Sequence, residues 1–407
     1  MATSVKAGGA TGQRALILVT GLFFLWGVAN NLNDVLIAHF RHAFTLTDFQ
    51  SGLVQSAFYL GYFCFAIPAA LTMTRYGYKT AVITGLILFA TGALLFWPAA
   101  LAVSYPFFLL ALFVIASGLA FLETAANPMV ASLGAPEDAE RRLNFAQAFN
   151  PLGSITGVAL GASLILPATA SEGAGTVHSV LIPYSLIAAV VILWALLLAG
   201  TTFPAVATEE RETHPLSDYG ALLRRPRYLF GVAAQFAYVG AQVGVWSYLI
   251  RYIEVARPDF GQRNAAWMLT FSLVLFMIGR FAGTALLTRV RGARLMLLYG
   301  AANTILCLIG AFVGGMVGVA ALVATSFFMS IMFPTIFVLT LRDLGPLTKS
   351  GSAMIVMAII GGAILTALMG LISDAAHSIA MAMVVPAGCF AVVALFATIH
   401  LRDRLRA

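Results

Sequence analysis

Residues 203–226 read FPAVATEERETHPLSDYGALLRRP, from Phe203 to Pro226. In a soluble protein this would be an ordinary surface loop. Here it is the longest polar stretch of a chain that is 61% hydrophobic and 10% charged, against about 25% charged residues in a typical soluble domain. Long apolar runs lie on both sides of it. A helix needs roughly 20 apolar residues to cross a hydrocarbon core about 30 Å thick. Runs of that kind are read at 15–40, 48–73, 79–98, 104–132, 142–166 and 178–202 before the stretch, and at 227–252, 264–288, 294–313, 316–341, 350–374 and 378–400 after it. Helix is the element type expected, because an open strand edge cannot be satisfied in lipid, and a β-barrel would show shorter, alternating segments. The expected fold class is therefore an all-α integral membrane protein with twelve transmembrane helices in two six-helix bundles. The bundles are 1–202 and 227–407, and 203–226 is a cytoplasmic linker. Two similar halves are a common transporter layout.

The net charge of +7 fits this reading better than it fits a nucleic-acid binder. With both termini in the cytoplasm, the inner side holds eighteen Lys and Arg residues, among them Arg75, Lys79, Arg141, Arg142, Arg224, Arg225, Arg289, Arg291 and Arg342. The outer side holds four, namely Arg41, Arg251, Arg257 and Arg263, and Arg280 lies within a span. That is a strong positive-inside bias. Arg75-Tyr76-Gly77-Tyr78-Lys79 after the second span is weakly echoed by Arg289-Val290-Arg291-Gly292-Ala293-Arg294 after the eighth. Cys64, Cys307 and Cys389 sit inside apolar runs and read as small core residues. The first apolar run continues for a full span without a small-residue cleavage site, so it is expected to be a membrane helix and not a signal peptide.

Ionisable groups deep in a span are costly and mark cavities or pathways. Glu123 lies near the middle of the fourth span, in Phe121-Leu122-Glu123-Thr124-Ala125-Ala126-Asn127-Pro128, with Asn127 one turn on and on the same face. It is either a substrate or proton site or a structural carboxyl hydrogen-bonded between helices. Asp34 ends the cluster Asn30-Asn31-Leu32-Asn33-Asp34. Asn30 and Asn31 share its face. A carboxyl there can take up and release a proton, unless it simply lies wet near the outer mouth. Asn144, Gln147 and Asn150 recur every three residues at the start of the fifth span. Amides both donate and accept, which suits sugar hydroxyls, although interhelical bonding is the alternative. Gly153, Gly157 and Gly161 follow as a ridge for close helix packing. Gln235, Tyr238, Gln242 and Trp246 fall on one face of the seventh span and suit either a carbohydrate cavity or plain packing. Arg280 reads as a snorkelling or structural cation. There is no Walker loop, metal-ligand spacing, histidine relay or paired nucleophile and base, which disfavours an ATP-driven pump.

At these residues the chain resembles the fucose–proton symporter family of the major facilitator superfamily. The resemblance rests on Phe23-Phe24-Leu25-Trp26-Gly27-Val28-Ala29-Asn30-Asn31-Leu32-Asn33-Asp34, Gln55-Ser56-Ala57-Phe58-Tyr59, Leu122-Glu123-Thr124-Ala125-Ala126-Asn127-Pro128, Ser330-Ile331-Met332-Phe333-Pro334-Thr335-Ile336-Phe337 and Gly361-Gly362. It implies a major facilitator fold with a central cavity between two six-helix bundles, and proton-driven monosaccharide uptake. It implies proton-coupling roles for Asp34 and Glu123. It also implies a sugar-facing role for Gln147 and Asn150. Asn30, Asn31, Asn127, Tyr238 and Gln242 complete the expected substrate set with Glu123. The loop after the second span departs from the superfamily pattern, with Ala70 and Thr74 where a glycine and an acid are usual. Gln242 stands where the fucose-type pattern has an acid, which leaves the sugar open among fucose, glucose, galactose and mannose.

The chain is therefore expected to be a symporter and not an enzyme, with no cofactor beyond the proton gradient. Its expected partners are a small sugar, protons and the bilayer, without nucleic acid, and its expected working unit is a monomer. A facilitator or exporter on the same fold is the competing transport reading. A membrane-embedded transferase is a third, although it would want catalytic groups clustered at one membrane face.

Overall fold

The computed structural model describes residues 17–29, 40, 44, 48–133, 135–164, 180–201 and 215–403. Among them all regular structure is helical. The helices are α1 (Ile17–Ala29), α2 (Asp48–Leu94), α3 (Phe96–Leu101), α4 (Tyr105–Ser132), α5 (Ala139–Gln147), α6 (Phe149–Leu164), α7 (Leu181–Ala199), α8 (Pro215–Leu223), α9 (Pro226–Ala256), α10 (Gly261–Leu286), α11 (Gly292–Phe312), α12 (Gly315–Met329), α13 (Met332–Leu341), α14 (Thr348–Met357), α15 (Gly361–Ala376) and α16 (Val384–Asp403). Each of the twelve expected spans contains a described helix. Among the described residues eight helices are long and apolar enough to cross a membrane, or nine if the bent pair α12 and α13 is one span. The fold is the all-α membrane architecture that the hydropathy pattern required.

Two expected spans, 48–73 and 79–98, run together as α2, which turns at Gly77 with φ 84° and ψ 170°. A side chain would be strained at that φ, so glycine is what permits so tight a connection. The adjacent Lys79 sends its Nζ to the carbonyls of Ala199 (2.7 Å) and Thr201 (2.9 Å), at the C-terminal end of α7. Unpaired carbonyls and the helix dipole both favour a cation there.

The chain forms two compact units. The first comprises Met1–Ala139, Ala146–Asp218 and Pro346–Met357, and the second Glu140–Phe145, Tyr219–Gly345 and Ala358–Ala407. In the first, α2 packs along α4 and is covered by α7, while α14 lies on α2 and α4. The expected glycine ridge meets α1. A Cβ on Gly153 would overlap the carbonyl of Phe24, one on Gly157 would press on the carbonyl of Val28, and one on Gly27 would overlap the carbonyl of Asn150. Helices that approach this closely gain dispersion contact without any need for water-driven burial. In the second unit α9 is central, touching α10, α12, α13, α15 and α16, around a core that includes Tyr238, Val245, Leu249, Tyr252, Met296, Phe390 and Phe396. Large apolar side chains such as Ile182, Leu193 and Leu196 remain exposed, which is the surface that lipid covers.

Candidate functional site

Glu123 is the starting point of the site in the first unit. It sits on α4 and is 1% exposed, and neither carboxyl oxygen has a hydrogen-bond partner. One turn on, Asn127 is fully buried, and its Oδ1 accepts a bond from Nε2 of Gln147 at 3.0 Å. That bond fixes the amide's orientation and leaves its Nδ2 unpartnered. Pro128 follows, without an N–H, so the carbonyl of Thr124 loses its helical donor. Across from α4, Tyr62 of α2 lies within electrostatic range of Glu123, and the indole of Trp26 on α1 lies beside the Tyr62 hydroxyl. The Tyr62 hydroxyl and the Trp26 Nε1 have no partner beyond each other, and the Thr124 hydroxyl is buried without one.

Folded proteins satisfy nearly all their buried polar groups, so several unsatisfied ones at one place require an explanation. Here they comprise an acid, an amide donor, a phenol and an indole N–H. Such a set can hold a proton and can donate to and accept from hydroxyl groups. Tyr62 and Trp26 were not singled out as site residues from the sequence, although a phenol in mid-span was a usable signal.

The three amides of the fifth span do not act as one face. A single turn residue, Ala148, separates α5 from α6, and Pro151 in the first turn of α6 accounts for the break. Gln147 turns to Asn127. Asn150 donates to the carbonyl of Phe23 at 3.2 Å. Asn144, fully buried in the second unit, donates to the Glu140 carbonyl at 2.8 Å and to the Thr335 hydroxyl at 3.2 Å. Asn30, Asn31 and Asp34 lie outside the described residues.

In the second unit Tyr238 is fully buried, and its hydroxyl donates to the carbonyl of Met329 at 3.0 Å. Trp246 donates from Nε1 to the Ser326 hydroxyl at 3.0 Å, and Ser326 also bonds Ser272. Gln242 is half-buried one turn beyond Tyr238. Tyr238 and Trp246 thus give their polar atoms to α12. Arg280 is 3% exposed, with its guanidinium over the Phe276 ring at 4.9 Å, and Phe276 in turn meets Trp246 edge-on. A feature that the sequence did not announce is the ion pair between Glu140 and Arg342. Glu140 also lies against Gly292, the first residue of α11.

The Major Facilitator Superfamily pattern matches residues 18–368. The chain is 47% identical over 400 residues to the L-fucose-proton symporter of Escherichia coli (strain K12), covering 93% of this chain and 91% of that protein. It is 36% identical over 387 residues to a glucose/galactose transporter of Brucella abortus biovar 1 (strain 9-941), covering 95% and 93%. Among solved structures it is similar to the transporter FucP in the outward conformation, with a TM-score of 0.88 and 47% identity over 95% of this chain and 98% of that one.

Proposed function

The chain belongs to the major facilitator superfamily, and from that premise we propose that it is a proton-coupled symporter importing a monosaccharide by alternating access. It is a multi-pass membrane transporter and not an enzyme. L-fucose is the first candidate substrate, since the similar E. coli protein is an L-fucose-proton symporter. Another hexose such as glucose, galactose or mannose is the alternative, with the similar Brucella protein being a glucose/galactose transporter.

The observation that carries this reading is Glu123, an acid buried in a membrane helix with both oxygens unpartnered and an oriented amide one turn away. A bare carboxylate is expensive in such a place. In its acid form it donates a hydrogen bond, which a sugar hydroxyl accepts. Glu123 therefore serves substrate binding coupled to a proton, with Asn127 and Gln147 beside it. Asp34 serves proton capture and release. Asn30, Asn31, Asn150, Tyr238 and Gln242 remain the other proposed substrate residues. For Asn150 and Tyr238 the present bonds to backbone carbonyls mean that contact with sugar requires an exchange of partners. The driving ion is the proton, no further cofactor is needed, and the working unit is a monomer in the cytoplasmic membrane.

Purified protein in liposomes should accumulate at least one monosaccharide of a panel containing L-fucose, D-glucose, D-galactose and D-mannose when an inward proton gradient is imposed. Uptake that ignores the gradient would leave the facilitator reading in its place.

The proposed orientation puts both termini and 203–226 in the cytoplasm, supported by the eighteen-to-four charge asymmetry. A single cysteine at position 214, in a variant with the native cysteines replaced, should resist an impermeant thiol reagent added outside intact cells. Labelling from outside would invert the topology.

A further inference from the structure

The second unit holds a buried amide that the reading above does not use. Gln235 lies on α9, is fully buried, and has neither Oε1 nor Nε2 hydrogen-bonded. Nine residues past Pro226, at 1.5 Å per residue, it is about 14 Å along the helix, near the middle of a core about 30 Å thick. Leaving both ends of an amide unsatisfied is costly, and the same position could have been a leucine.

The direction in which Gln235 points follows from its helical neighbours. Positions 231, 235 and 238 form one stripe of α9. Gly231 packs against Thr340 of α13. Tyr238 bonds the Met329 carbonyl and sets its ring against Phe333, with centroids 6.3 Å apart. Gln235 lies between them and so faces the middle of α13, one to two turns from the break from α12, where the two helices bend by 40°.

The break is chemically suited to meet a polyol. Pro334 cannot donate to the Ser330 carbonyl. The Thr340 hydroxyl, buried without a partner, lies at the far end of α13. Neighbouring helices hold the joint in place. Asn303, with its amide oriented to suit its surroundings, donates to the Thr325 carbonyl (3.1 Å) and accepts from the Met329 N–H (3.2 Å). An interrupted membrane helix near the midplane, with free backbone acceptors, is a recurring way to build a transporter binding site.

From this juxtaposition we infer that Gln235 is a substrate-binding and specificity-determining residue: its amide meets a sugar hydroxyl at the α12–α13 break during transport. The assignment rests on the sugar-symport reading. Both a donor and an acceptor are present, so Gln235 distinguishes a hydroxyl from a hydrogen at one carbon of the ring.

The test uses the full-length protein and the variant Gln235→Met, which keeps length and volume without polarity. Binding of L-fucose, D-galactose and their monodeoxy analogues is measured calorimetrically, together with thermal unfolding. Gln235→Met should unfold no earlier than the native chain, bind its preferred sugar about tenfold more weakly, and lose most of the native discrimination against one deoxy analogue. Unchanged affinities and selectivity in a folded variant would make Gln235 a structural amide and overturn the inference. Should Gln235→Met not fold, Gln235→Asn, which keeps the amide and shortens its reach, carries the same comparison, and failure of both to fold likewise assigns a structural role. A native protein that binds none of these sugars refutes the symport reading itself, and this assignment with it.

Discussion

Replacing Glu123 by alanine should weaken sugar binding about a hundredfold without unfolding the protein. A hydrogen bond to a charged or acidic group contributes about 1.5–3 kcal/mol, and a hundredfold corresponds to about 2.7 kcal/mol. The effect on stability runs the other way. A structural carboxyl would have partners, and its removal would orphan them. Neither oxygen of Glu123 has one among the described residues, so the folded state already bears the desolvation cost and recovers it on substitution. Alanine leaves a cavity, which costs something in turn, so Glu123→Met is the better comparison for thermal unfolding and should melt at or above the native temperature. Glu123→Gln keeps a donor but cannot titrate. It should retain binding and lose the pH dependence of binding. Calorimetric sugar titration and thermal unfolding of all three variants check this. Native affinity in Glu123→Ala would remove Glu123 from the site, and a steep fall in melting temperature in Glu123→Met would make it structural.

Most of the architecture was legible because lipid simplifies the reading. The apolar runs were long, the polar stretch 203–226 interrupted them once near the middle, and each expected span holds a described helix. The ridge Gly153–Gly157 announced a close helix neighbour, and α1 is that neighbour. The partners of the polar side chains were less legible. Spacing places residues on a face only while the helix continues, and the turn at Ala148 resets the phase between Gln147 and Asn150. Periodicity also names a face without naming what lies opposite. Asn144, Gln147 and Asn150 looked equivalent, yet they bond to Thr335, Asn127 and Phe23 respectively. For the same reason nothing in α1, α2 and α4 read singly brings Trp26 and Tyr62 toward Glu123. The ion pair of Glu140 with Arg342 joins residues 202 positions apart, a separation that no local pattern encodes.

Asp34→Asn should abolish proton-driven accumulation while sparing sugar exchange. The argument begins in the cluster Asn30-Asn31-Leu32-Asn33-Asp34, which puts four polar residues within five positions of a membrane segment. Coupling requires one group whose protonation changes between the two sides of the transport cycle, because a ligand can bias an equilibrium only by its differential affinity for the two states. Asn is close in shape to the protonated acid and cannot release a proton. The variant is thus fixed in the form that binds and exchanges sugar, and it cannot return empty with its proton discharged. A gradient of one pH unit is worth about 1.4 kcal/mol per proton, so one proton per sugar sustains about a tenfold accumulation in the native protein. Asp34→Asn should bring that ratio to the equilibrium level, while counterflow of labelled for unlabelled sugar in the same liposomes continues. The division of labour with Glu123 then follows from the contrast between variants: Asp34→Asn loses accumulation and keeps exchange, and Glu123→Ala loses both. If Asp34→Asn still concentrates sugar in response to a proton gradient, the coupling proton resides elsewhere. Glu123, the deep acid already without a partner, would then have to carry both binding and coupling.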